Sequence, residues 1–135
     1  MPASLPEPQP NADSIEYWQR AREGRLVLRA CGQCGACHYP PRHLCPSCWS
    51  ERLHWVEASG RGVIYTFTVM RRAPLPPFVA RLPYVVALID LEEGPRMMAN
   101  IVGDDAQRVC IGDPVALCFE ERGEQRLPQF RRCTP

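Results

Sequence analysis

A chain of 135 residues with a formal net charge of +1 suits one domain, or two very small ones, and has no global field to recruit nucleic acid or anionic lipid. All 16 basic residues are arginine, which excludes a Schiff-base lysine, a phosphate-loop lysine and a lysine general base. No cleavable apolar leader or membrane-length apolar run is visible, so clustered cysteines read as metal ligands rather than disulfides, in a cytoplasmic protein.

Residues 1–12, MPASLPEPQPNA, are Pro-rich and polar and are expected to form a mobile tail. Residues 13–30 are expected to hold one helix and one strand. Asp13 and Glu16 form a capping box ahead of a helix that runs to about Glu23, where Gly24 supplies a left-handed stop. Ile15, Trp18 and Arg22 share its packing face, with Tyr17 and Gln19 flanking. Trp18 reads either as an anchor for a partner or as a cap on the core. GRLVLRA, from Gly24 to Ala30, is a strand that leads into the cysteines.

Residues 31–58 hold five of the eight cysteines, in CGQCGACHYPPRHLCPSCW from Cys31 to Trp49. Structural zinc takes four ligands, commonly from two Cys-x2-Cys turns whose backbone N–H groups point at the sulfurs. A glycine after the second cysteine relieves the turn, and CGQCG has it at Gly35. The overlapping pair Cys34 and Cys37 is followed by His38, which lacks that freedom. CPSC supplies the second turn, with Pro46 fixing its shape. The ligands are therefore assigned as Cys31, Cys34, Cys45 and Cys48, with Cys37 spare. Four thiolates close the coordination shell, so one structural Zn2+ per chain is expected, with no open catalytic position. A redox dithiol would need a single such pair at a helix start. His38, His43 and His54 read as surface or packing residues.

Residues 59–133 change character. Val63, Tyr65, Phe67 and Val69 alternate with Ile64, Thr66, Thr68 and Met70, which reads as a strand largely buried on both faces, with Tyr65 and Phe67 on one side filling the core. YVVALIDLEEG and PRMMANIVG form a hairpin on Gly94, followed by DPVALCFEERG and a short QRLPQF. Five strands without a helical period point to a closed five-stranded OB-fold barrel, with a small sandwich as the other option. The fold class is thus mostly β: helix, rubredoxin-like ribbon, barrel.

This half contains neither His nor Lys, and Cys110, Cys118 and Cys133 read as small buried apolar groups, so no catalytic residues are assigned. The long connection APLPPFVARLP stands out instead. Its prolines are expected to keep it extended, with Leu75, Phe78, Val79 and Leu82 as apolar contacts and Arg71, Arg72 and Arg81 flanking. That combination suits an anionic head beside an apolar tail; the loop could equally fold over the barrel's open end.

The stretches YW, EGRLVLRAC, CGQCG, YPPR, LCPSC, LHWVEASGRGVIYTFTVM, PYVVALIDLEEGPRMMANIVG, IGDPV and LPQF occur in linked order from about Ser14 to Arg131. In them the chain resembles the rubredoxin-like zinc ribbon plus OB-fold proteins, a family long catalogued as a domain of unknown function, that accompany thiolases and related acyl-CoA enzymes. The resemblance implies a non-catalytic subunit. It would support a thiolase-like enzyme, in some assemblies beside hydroxymethylglutaryl-CoA synthase, aldolase or hydratase partners, and help form a path for acyl-CoA. Trp49 departs from the pattern, which has glycine there, so a tighter or tilted second turn is expected; Cys37 lies outside the family's ligand positions.

The rival function is a module for single-stranded nucleic acid, since OB-folds bind strands by stacking and a positive groove. Near-neutral charge and singly scattered arginines oppose it. A loop rich in apolar residues together with Trp18 marks contact surface for an enzyme partner, and for pairing of the chain with itself.

Overall fold

A computed structural model describes residues 4–133. Helix α1 spans Ile15–Arg22, and Gly24 ends it at φ +80°, its N–H donating to the Ala21 carbonyl oxygen at 2.9 Å. The helix start is built differently from the expected capping box. Asn11 Oδ1 accepts the N–H groups of Asp13 and Ser14, both at 3.1 Å, and so takes the Asp13 N–H that the Glu16 side chain would use in the box. Glu16 pairs with Arg20 at 3.0 Å, and Asp13 lies 3.5 Å from His43 Nδ1. The buried face is also rotated: Tyr17 and Ala21 are buried, while Ile15 is exposed and Trp18 half-buried. An i, i+4 pair of one aromatic and one small residue lets α1 lie close against the strands below.

The ribbon is a three-stranded antiparallel sheet in the order β2 (Cys37–His38), β1 (Val27–Cys31), β3 (Leu53–Glu57). Its central strand is the one expected to lead into the cysteines, so the sheet already starts at Val27. Leu26 and Leu28, each 1% exposed, join Tyr17 to the barrel core in one continuous apolar cluster.

The barrel closes in the order β4 (Arg61–Met70), β5 (Tyr84–Leu91), β6 (Arg96–Val102), β8 (Gln125–Arg132), β7 (Pro114–Arg122). All pairs are antiparallel except β6 with β8, which run parallel through only two residue pairs, Ile101–Phe130 and Val102–Arg131. Val85, Ile89, Val115 and Phe130 fill the interior. A parallel β6–β8 closure of a five-stranded barrel is the OB-fold.

Strand β4 is not buried on both faces. Its pairing with β5 slips between Ile64 and Thr66, leaving Tyr65 in a bulge. The extra residue shifts the alternation, so Phe67 packs on the core while Tyr65 is exposed under the Arg96 guanidinium, 3.3 Å from its ring centroid. Tyr65 and Phe67 therefore do not share the core.

The proline loop is not extended. Its centre is a single helical turn, α2, at Pro76–Val79, with the Phe78 N–H donating to the Leu75 carbonyl oxygen at 3.0 Å. Two prolines fit the first positions of a helical turn, where their missing N–H groups have no intrahelical acceptor. The N-terminal stretch is tied to the barrel at the β7–β8 turn: Arg122 Nη1 donates to the Pro6 carbonyl oxygen at 3.0 Å, and the Glu124 N–H donates to Glu7 Oε1 at 3.3 Å.

Strand β4 crosses β5 closely at Gly62, where an added Cβ would stand 2.6 Å from Ile89 Cγ2 and 2.9 Å from the Asp90 carbonyl oxygen. Ile89 is buried and Asp90 O belongs to the strand backbone, so neither can step aside freely. Gly62→Ala is expected to destabilise the barrel by about 1–3 kcal/mol in chemical denaturation, whereas Gly94→Ala, with open space around it, meets only the strain of its positive φ.

Candidate metal centre

Two turns bring Cys31, Cys34, Cys45 and Cys48 together, with all four sulfurs within 4.8 Å of one another. The first turn leaves the end of β1. The Cys31 N–H donates to the Ala36 carbonyl oxygen at 2.9 Å and the Gly32 N–H to Arg52 O at 2.7 Å, which fixes the turn against the chain entering β3. The Gln33 and Cys34 N–H groups point at Cys31 Sγ at 3.3 and 3.4 Å, and the Ser47 N–H points at Cys45 Sγ at 3.4 Å. Backbone donors aimed at sulfur favour the thiolate.

The sulfurs approach in two crossed pairs, Cys31 with Cys48 and Cys34 with Cys45, each 3.6 Å apart. A tetrahedron with metal–sulfur bonds of about 2.3 Å has edges of about 3.8 Å, so the four atoms already stand where one tetrahedral ion needs them. Electrostatics agree. The Cys34 backbone N–H, chiefly, draws the Cys31 thiol down to about 6. At Cys48 the Ser50 N–H also pulls downward, but burial and the three neighbouring thiols outweigh it and push the group up to about 12. Four thiolates in this space need a cation.

The turns are matched copies. Gly35 has φ +77° and donates its N–H to Cys31 O at 3.0 Å; Trp49 has φ +67° and donates to Cys45 O at 2.8 Å. The second turn is thus neither tighter nor tilted. It has the left-handed geometry of the first with a tryptophan in the glycine's place, at a strain of about 1–2 kcal/mol.

Cys37 stands apart, half-buried in β2 opposite Ala30, and burial together with the Glu93 carboxylate raises its thiol. His38 is buried without a hydrogen-bond partner for either ring nitrogen among the described residues. Burial first, then Arg29 and Arg42, lowers its basicity. His43 and His54 are exposed. Cys118 is half-buried in β7, but Cys110 and Cys133 are exposed rather than buried, since they sit on a turn and beyond the end of β8.

The loop residues separate into two sets. Leu75 and Val79, one helical turn apart, are 50% and 56% exposed and form an apolar ridge. Phe78 turns inward against Tyr84, ring centroids 6.2 Å apart, and Leu82 is half-buried. Beside them lies a cavity of about 400 Å³ lined by Phe78, Arg81 and Tyr84 and, opposite, by Asn100, Asp104 and Gln107. Arg81 reaches it already committed: its two terminal nitrogens hold Glu120 at 2.7 and 2.9 Å, and Glu120 also accepts from Arg122 at 2.6 Å. Arg71 and Arg72 are exposed outside the lining, with no carboxylate partner among the described residues. Of the three arginines, only Arg81 lines this cavity. Tyr84 and Asn100 went unnoticed in the sequence because each falls inside an ordinary strand pattern.

Residues 18–54 match the family model of the ChsH2 rubredoxin-like zinc ribbon domain, and residues 55–120 that of the ChsH2 C-terminal OB-fold domain. A DUF35 domain-containing scaffold protein of Methanothermobacter thermautotrophicus is 38% identical over 115 residues, 84% of this chain and 86% of that protein. The chain belongs to the DUF35 family. Another relative, a probable enoyl-CoA hydratase alpha subunit of Thermomonospora curvata, is 39% identical over 98% of this chain; the chain spans 41% of that protein's length. A benzoylsuccinyl-CoA thiolase subunit BbsA of Thauera aromatica is 31% identical over 76% of this chain and 72% of that protein. Among solved structures, an Ltp2-ChsH2(DUF35) aldolase superposes with a TM-score of 0.85 at 38% identity, covering 95% of this chain and 100% of that chain. Zinc ribbon, barrel and their linked order are thus family features.

Metal analysis of purified protein is expected to find one ion per chain, lost in Cys45→Ser or Cys34→Ser and kept in Cys37→Ser. Loss from Cys37→Ser with retention in Cys31→Ser would place the ion on the other cysteine register. The Glu120 pair gives a pH effect. The Arg81 hydrogen bond, chiefly, holds the Glu120 carboxyl below its usual range, so its stabilisation is present above the ordinary carboxylate value of about 4.3 and is lost as pH falls through its lower folded value. Limited proteolysis between Arg71 and Pro83 should accelerate on acidification below about pH 4, and in Glu120→Gln it should already be fast at neutral pH.

Proposed function

We propose that this chain is a non-catalytic accessory subunit that docks on a thiolase-like or other acyl-CoA enzyme and helps to bind or channel the acyl-CoA. The observation that carries the reading is the superposition of the whole ribbon-plus-barrel on the Ltp2-ChsH2(DUF35) aldolase structure. Relatives named as scaffold proteins and as hydratase and thiolase subunits point the same way.

The metal is zinc, held by Cys31, Cys34, Cys45 and Cys48, since a closed set of four sulfurs with tetrahedral spacing is the donor chemistry of structural zinc. Its binding energy folds the ribbon, which is too short to bury a core of its own. The Leu75–Val79 ridge is the surface an enzyme partner would cover, with Phe78 and Leu82 packed beneath as its support. Arg71 and Arg72, exposed at the root of the same loop, are the cations open to a CoA phosphate, whereas Arg81 shapes the loop through Glu120.

Tagged protein from its own cells is expected to carry an acyl-CoA enzyme with it, while the isolated chain turns over no acyl-CoA. The double variant Leu75→Ser, Val79→Ser should weaken that complex by about 1 kcal/mol or more with zinc content unchanged. Arg71→Ala with Arg72→Ala should leave the complex intact and lower its affinity for CoA esters. Acyl-CoA conversion by the chain alone, or full co-purification of the ridge variant, would overturn the respective part. Size exclusion of the free chain reads pairing with a second copy.

A further inference from the structure

Between β6 and β8 the barrel wall is split. The two strands pair only at Ile101–Phe130 and Val102–Arg131 and diverge toward Arg96 and Gln125. At the mouth of the split, side chains substitute for the missing ladder. Gln129, 4% exposed, accepts the Asn100 backbone N–H on its Oε1 at 2.6 Å and donates from Nε2 to Asn100 Oδ1 at 3.1 Å. Below this bridge opens a groove of about 330 Å³.

Direction along β6 follows from that hydrogen bond. Main-chain groups alternate in direction along a strand. Since the Asn100 N–H points at β8, the N–H and C=O of Met98, two residues earlier, face the groove and not β5. On the opposite side stands Pro128, which has no N–H to offer across the gap. Met98 thus sits on an open strand edge, and its side chain is 64% exposed. Trp18, Tyr39 and Tyr84 stand around the groove with Leu127, and none of the residues lining it is charged.

We infer that this groove receives an extended, uncharged segment of the partner enzyme, which adds as a strand to the free edge of β6 at Met98. An open edge is matched by main-chain donors and acceptors, which an extended polypeptide supplies at the strand repeat. An uncharged, aromatic-walled lining selects apolar side chains, because an ionised one would lose its hydration there without a counter-charge. The groove is continuous with the loop region: Tyr84 lines it and also packs on Phe78 of α2. The inference rests on the accessory-subunit reading and names where and how the partner binds.

Hydrogen exchange of the chain, free and in the complex purified with its acyl-CoA enzyme, tests it. The Met98 amide is expected to exchange about tenfold more slowly in the complex. Met98→Pro removes the outward donor without touching the β5 ladder and should weaken the complex about tenfold, as should Met98→Glu, which sets a charge at the groove if the proline variant fails to fold. Ile111→Glu, similarly exposed but on the turn before β7, should not. An intact complex with unchanged exchange at Met98, or one that forms at wild-type affinity in both Met98 variants, overturns the groove while leaving the accessory reading in place. Slowing of the Met98 amide by a CoA ester with no enzyme present would make the groove a small-molecule cleft and overturn it as well. If no acyl-CoA enzyme co-purifies, the accessory reading fails first and this inference with it.

Discussion

Four thiols crowded to 3.6 Å contacts cannot ionise together without a cation, and the ribbon is organised around that fact. Cys31 is drawn toward the thiolate by backbone donors, while at Cys48 burial and the neighbouring thiols push the group the other way. A dication reverses the balance, turning mutual repulsion into four bonds. The consequences reach beyond the site, because Cys31 is the last residue of β1. That strand pairs along its length with β3, and Leu26 and Leu28 just before and within it enter the core shared with the barrel. A metal bound there would anchor one end of the apolar cluster on which α1 and the barrel also rest.

Trp49 shows how firmly the turn geometry is imposed. A bulky residue is held left-handed because the Cys45 carbonyl needs the Trp49 N–H and the fourth sulfur must face the other three. The indole is left 77% exposed, since a left-handed residue at that point projects away from the cluster. The backbone bears the strain while the ligand atoms keep their places.

What was legible in the sequence follows from the range of the interactions involved. Cysteine pairs separated by two residues, a glycine after CGQC and a hairpin glycine at position 94 are local signals with few solutions, so the ribbon, the clustering of its four cysteines and the β5–β6 hairpin could be read directly. Tyr65 was not legible. Its outward turn depends on a slip in pairing with β5, and that slip is not written in the alternation of β4 itself. The same holds for α1, where Asn11, two residues ahead of Asp13, takes the Asp13 N–H that the apparent Asp13–Glu16 box would have paired with Glu16. Arg81 looked available because Glu120 is distant in sequence, and only the barrel brings the two together. Local chemistry was readable; competition between local and distant partners was not.

That competition also bears on the character of the proposed recognition surfaces. Arg25, Arg61, Arg81, Arg96, Arg122 and Arg132 are each paired with a carboxylate of the same chain, so a protein whose only cations are arginines commits many of them internally. Such pairs near the surface add little stability each, but they neutralise the charge from which a long-range field would arise. What remains for the proposed partner is shape and apolar area: the exposed Leu75 and Val79, the uncharged split beside Met98, and the backbone edge within it. A surface of that kind does not steer encounters at a distance; it discriminates at contact, where a partner must supply matching main-chain groups and leave no charge unpaired. For a chain with neither lysine nor a histidine beyond residue 54, selectivity by fit and not by field is the outcome consistent with its composition.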